Sequence, residues 1–152
     1  MIEPLETSVE RIPSDAGLGP HSVVLVVPAA EGTRTADLYR RFSGASANCR
    51  AREAVVAIVS TGVLNTPDRV RATGRRRDGN RFEMNLEIRR FEGSIRANDS
   101  WIALVRMEFG SLEPGTYQLV VQATVLRFVD LHHPERATNP TTSEQHLSFS
   151  CI

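Results

Sequence analysis

Hydrophobic and polar residues alternate with period two through much of the chain. The clearest case is residues 81–89. There Phe82, Met84, Leu86 and Ile88 alternate with Arg81, Glu83, Asn85, Glu87 and Arg89, the pattern of a half-buried strand. Trp101, Ala103, Val105, Met107 and Phe109 make a second such row, and Tyr117, Leu119, Val121, Ala123 and Val125 a third. The β-branched run at 21–27 (HSVVLVV) predicts a first strand. The apolar run at 54–60 (AVVAIVS) predicts a central one, being short, β-branched and followed by Gly62. Residues 69–77 and 146–152 complete about seven strands. One stretch, 35–42, predicts a short helix with Thr35 as its cap. There is no strand–helix alternation and no internal repeat, so the expected fold is an all-β antiparallel sandwich.

The hairpin at 69–89 has a register that charge and polarity select. A two-residue Asp78-Gly79 turn would set Val70 against Glu87 and mix the two faces. A three-residue turn at 78–80 sets Val70 against Ile88, Ala72 against Leu86, Arg71 against Glu87 and Arg75 against Glu83. Only this pairing gathers the apolar residues on one side and opposes unlike charges on the other. It predicts Gly79 at positive φ. The expected core is Val23, Leu25, Val27, Val55, Ala57, Val59, Phe82, Met84, Leu86, Ile88, Trp101, Val105, Phe109, Tyr117, Leu119 and Val121.

Composition narrows function more than fold. The chain has 152 residues, 41% of them hydrophobic and 24% charged, which suits one soluble domain. Residues 1–20, rich in Pro, Gly and charge, read as a flexible N-terminal arm ahead of a domain at 21–152. All 18 basic residues are arginine, against 18 acidic ones. That balance argues against general nucleic-acid binding. The absence of lysine excludes a P-loop lysine, a Schiff-base lysine and a Ser-Lys dyad. With no basic, apolar leader at the start and no long apolar run, the expectation is a cytoplasmic protein without membrane insertion, an excised exported domain being the other reading.

Two cysteines, Cys49 and Cys151, are too few for a disulfide framework and read first as free structural thiols. The other reading is one bridge. If seven strands run up and down, the start of the second and the end of the seventh share one end of the sandwich. A bridge there, in an oxidising compartment, would close a loop of about 100 residues and stabilise by roughly 4–5 kcal/mol.

The segment Leu112-Glu113-Pro114-Gly115-Thr116-Tyr117 resembles the corner between two strands in bacterial immunoglobulin-like and fibronectin-III-like sandwiches. The resemblance implies that Tyr117 is a corner tyrosine whose hydroxyl bonds backbone upstream. Such domains serve as spacers, adhesion modules or assembly subunits. A second resemblance is to PilZ domains, β-barrels that bind cyclic di-GMP. Arg76-Arg77-Asp78-Gly79-Asn80-Arg81 fits their Arg-Arg-x-x-x-Arg signature. Asn98-Asp99-Ser100-Trp101-Ile102-Ala103 fits part of their second, with Ala103 where that family has glycine. It implies a nucleotide clamp of Arg76, Arg77, Arg81, Asn98 and Ser100, guanidinium forks being suited to phosphates.

Other chemistry is sparse. His21, His132, His133 and His146 lack metal-ligand spacing and read as exposed. No GxSxG or Gly-rich phosphate loop is present. Glu83 and Glu87 share a strand face but lie opposite Arg75 and Arg71, which neutralise them. Asn98-Asp99-Ser100 also fits a glycosylation sequon. The expected function is therefore a non-catalytic interaction or assembly module on an immunoglobulin-like sandwich. It needs no metal or cofactor, and its partner is another protein or further copies of itself. The PilZ resemblance gives the competing expectation, cyclic di-GMP binding. Residues 129–145 and 1–20 are the expected contacting parts, and an exposed edge strand is a further route to a partner chain.

Overall fold

The alternating rows pair into two stacked sheets, and one short helix lies outside them. The computed structural model describes residues 2–14, 23–29, 33–42, 49–93 and 100–152. Within these, the order along the chain is β1 (Glu3–Leu5), β2 (Thr7–Pro13), β3 (Val23–Pro28), α1 (Thr35–Phe42), β4 (Ala54–Asn65), β5 (Arg69–Arg76), β6 (Arg81–Phe91), β7 (Ser100–Ser111), β8 (Gly115–Phe128) and β9 (Thr138–Cys151). The first sheet runs β1-β5-β6-β8-β9 and the second β2-β7-β4-β3. His21 and Ser22, the expected start of β3, lie outside the described residues.

The inner faces carry the alternating rows. Phe82, Met84 and Leu86 of β6 and Leu119 and Val121 of β8 meet Val55, Ala57 and Val59 of β4 and Val105, Met107 and Phe109 of β7. Every expected core residue is buried apart from Val23, whose side chain lies outside the described set. Gly74 belongs to this face by register, and a Cβ there would overlap Met107 Sδ. The second sheet is buried on its outer side as well. Leu25, Val27, Val56, Ile58, Ile102 and Leu104 pack there under Ala36, Leu38 and Tyr39 of α1. This explains the unbroken apolar runs in β4 and β7, since a strand covered on both faces loses its alternation.

The β5–β6 hairpin has the expected register: Val70 faces Ile88, Arg71 faces Glu87 and Arg75 faces Glu83. Gly79 sits at φ 57°. Tyr117 donates its hydroxyl to Glu113 O at 2.6 Å, closing the β7–β8 corner.

Four expectations need correction. Residues 3–13 are not a free arm: β1 pairs β5 and β2 pairs β7, so this segment passes from one sheet to the other. Residues 15–20 of that arm lie outside the described set. The described residues therefore hold nine strands, not seven. The last strand starts at Thr138, well before 146. Its first half is polar on both faces, so alternation leaves no mark, and backbone pairing to β8 holds it. The sheets are also not wholly antiparallel, because β6 and β8 run parallel. The return stroke between them, β7, lies in the other sheet.

The fourth concerns the cysteines, where the first reading as free thiols gives way to the second, a bridge at one end of the sandwich. Cys49 and Cys151 are bridged, 102 residues apart in sequence, with Cα atoms 4.3 Å apart. The bridge sits at one end of the sandwich over a ring cluster of Phe82, Phe109, Tyr117 and Phe149.

Candidate functional site

Two places on this scaffold stand out among the described residues: the arginine-rich outer face beside the β5–β6 hairpin, and the edge of β9, which no described strand covers between Thr138 and Ser150.

At the hairpin, strand alternation sends Arg75, Arg77, Arg81 and Glu83 to the outer face of the first sheet. Glu83 is almost wholly covered and takes a bond from Arg75 Nη2 at 3.0 Å and from Arg77 Nη1 at 3.0 Å, with Arg81 Nε 4.0 Å away. Burial alone would push its carboxyl up, but the hydrogen bonds and charges of Arg77 and Arg75 outweigh that and hold it below the usual glutamate range. The Nε groups of Arg75 and Arg81 are buried without an acceptor. The expected pair of Arg71 with Glu87 holds as register only, because the ion pair to Glu87 comes from Arg89 at 2.6 Å.

Among the described residues of the nucleotide clamp, Arg76 and Ser100 do not join Arg77 and Arg81. Arg76 points to the other side of the sheet from Arg77 and Arg81, lying over the Phe82 ring with Nε bonded to Gly79 O at 2.6 Å. Ser100 opens β7 opposite Asn65. Asn65 neighbours the β4–β5 turn, where the carboxylate of Asp68 accepts from Asn65 N at 2.9 Å and from Phe91 N at 2.8 Å. Phe91 ends β6 and Arg81 begins it. Ser100 and Arg81 are thus at opposite ends of the sandwich, on the order of 30 Å apart. Asn98 lies outside the described residues.

The histidines stay separate. His133 sits 2.8 Å from Glu135, and that hydrogen bond raises its pKa from the ordinary value. His146 pairs with Glu144 at 2.7 Å. His21 lies outside the described residues. No group of three or more His, Cys, Asp or Glu converges among the described residues. None of the described helices is long and apolar enough to cross a membrane.

The β9 edge is the feature that alternation could not reveal. Gln118 N donates to Asn80 O, on the β6 side of β8, at 2.9 Å. Backbone groups of successive strand residues point to opposite sides, so Leu119 faces β9, where its partner is Leu147. From Thr141 to Cys151, odd-numbered residues of β9 therefore bond β8 and even-numbered ones face outward; a bulge between Thr141 and Thr138 breaks the rule before that. Ile152 obeys the same rule: its N donates to Cys49 O at 3.0 Å and its O accepts from Ala51 N at 3.0 Å, both on the outer side. Pro140 falls in the bulge between Thr141 and Thr138, where proline is tolerated. Among the described residues no strand covers this edge between Thr138 and Ser150. Thr142, Glu144, His146 and Ser148 present their N–H groups there.

No family model, curated protein or solved structure matches this chain.

Proposed function

We propose that this chain is a non-catalytic assembly module of immunoglobulin-like type, working in an oxidising compartment, which joins another protein chain by strand addition along β9. The observation that carries the reading is the long β9 edge with its outward row of N–H donors, since main-chain pairing to such an edge is a recurrent mode of recognition. The bridge between Cys49 and Cys151 supports a compartment in which disulfides persist. The corner bond of Tyr117 supports the immunoglobulin-like reading. Strand order supports it in part: β3-β4-β7 follows the A-B-E arrangement and β8-β9 the F-G pair, while the parallel β6–β8 pair departs from the antiparallel C–F pairing.

A photo-crosslinking side chain placed at Thr142 or Ser148, in cells that make the protein, tests this. Adducts are expected from these edge positions and not from Thr73 on the outer face. They should vanish when Glu144→Pro removes an edge donor. Adducts that survive the proline, or none from the edge, would contradict strand addition.

A further inference from the structure

The chain is electrically neutral, yet its charge is segregated. The outer faces of β5 and β6, with Arg77 just past the end of β5, carry Arg69, Arg71, Arg75, Arg77, Arg81 and Arg89 against only Glu83 and Glu87. Around Glu83 three half-exposed guanidiniums share one carboxylate, so part of each guanidinium remains open to solvent. An excess of charge-assisted donors of this kind is suited to oxyanion or carboxylate groups.

The register sets uncharged hydrogen-bonding side chains next to these arginines. Arg77 and Arg81 continue across the sheet into Gln118 and Ser148, and Asn85 continues into Gln122 and then Glu144, whose carboxylate is taken by His146 at 2.7 Å. Gln118 Nε2 lies 3.2 Å from His146 Nδ1, which places both on the same face. The side chains of Asn85 and Gln122 make no hydrogen bond among the described residues. Amides beside guanidiniums match a ligand that bears hydroxyls as well as negative groups. These rows hold no Phe, Tyr or Trp, the larger rings on which nucleic-acid bases stack, and the imidazole of His146 is engaged by Glu144 at 2.7 Å.

We propose that this face, centred on Arg77 and Arg81, binds an anionic polysaccharide. The guanidiniums take its sulfate or carboxylate groups, and Asn85, Gln118 and Gln122 take its sugar hydroxyls. The site lies on the face of the sheet and is independent of the β9 edge.

Calorimetric titration of the oxidised chain tests it, with dextran sulfate and polygalacturonate as probes and with neutral dextran and a single-stranded oligothymidylate for comparison. One acidic polysaccharide should bind, and the preferred arm tells sulfate from carboxylate. Arg77→Gln with Arg81→Gln should weaken binding by about tenfold or more, while Arg34→Gln, near Glu10 beside the second sheet, should not change it. The melting temperature of each variant verifies folding. Asn85→Ala with Gln122→Ala, which leaves every charge in place, should also weaken binding. The proposal is overturned if neither polymer binds, if the arginine pair proves indifferent, if the amide pair proves indifferent, or if oligothymidylate binds equally well.

Discussion

Proline substitution at adjacent positions of β9 separates a bonded edge from an open one. Gln145 and Glu144 are neighbours, and both side chains are exposed. The register makes Gln145 and Val121 partners on the β8 side, whereas the backbone of Glu144 faces outward. Gln145→Pro therefore deletes a ladder bond, leaves a carbonyl of β8 unpaired and pushes the ring toward that strand. A lost bond with an unpaired partner costs about 1–3 kcal/mol, and the steric conflict brings the total to about 3 kcal/mol or more. For a domain of this size that is a fall of about 6–12 °C in melting temperature. Glu144→Pro removes only an outward donor and should cost less than about 1 kcal/mol. Gln145→Ala and Glu144→Ala correct for the side chains, including the contact of Glu144 with His146. Thermal unfolding followed by circular dichroism reads the difference. Equal losses at the two positions, or the larger loss at 144, would refute the assignment of the open edge.

Three further outcomes follow from the buried and bridged groups. Asp68→Ala should cost about 3 kcal/mol in urea unfolding, because the backbone N–H groups of Asn65 and Phe91 lose their acceptor and Arg90, 3.5 Å away, loses its partner; Asp68→Asn should recover part of this. Glu83→Gln should cost about 1–2 kcal/mol at neutral pH, a value reduced by solvent around the half-exposed arginines. Since the folded carboxyl titrates below the usual glutamate value, the difference from wild type is complete above that value and is lost as pH falls through the lowered one; a difference that persists at low pH would disprove the ionic origin. Replacing both Cys49 and Cys151 by serine should cost about 4–5 kcal/mol for a loop of 102 residues, on the order of 10 °C or more, and the reductant sensitivity of the wild type should disappear with it.

Legibility tracked one-sided burial. β6, β8 and the β5–β6 register could be read because one face is apolar and the other charged, so a slip of one residue would expose Phe82 and Leu119. The corner at Tyr117 was legible through Pro114-Gly115 and a tyrosine needing a partner. Residues 3–13 and 138–145 were not, because exposed edge strands need no apolar face and their pairing is a property of the backbone. The cysteine pair was legible only as one of two readings, since it depends on which strand ends share an end of the sandwich. Arg76, Arg77, Arg81 and Ser100 fit signature positions in sequence, but strand parity puts Arg76 on the opposite face and the length of β6 separates Ser100. The open edge was hidden for a related reason: side-chain patterning reports on faces and not on which backbone groups remain unpaired.

Amide hydrogen exchange along β9 in the isolated, oxidised chain tests the central claim most directly. The account predicts rapid exchange at Thr142, Glu144, His146 and Ser148, and slow exchange at Ser143, Gln145, Leu147 and Phe149, whose N–H groups bond β8. Protection of the even-numbered amides equal to that of the odd-numbered ones would mean the edge is closed, and would remove the site on which strand addition rests.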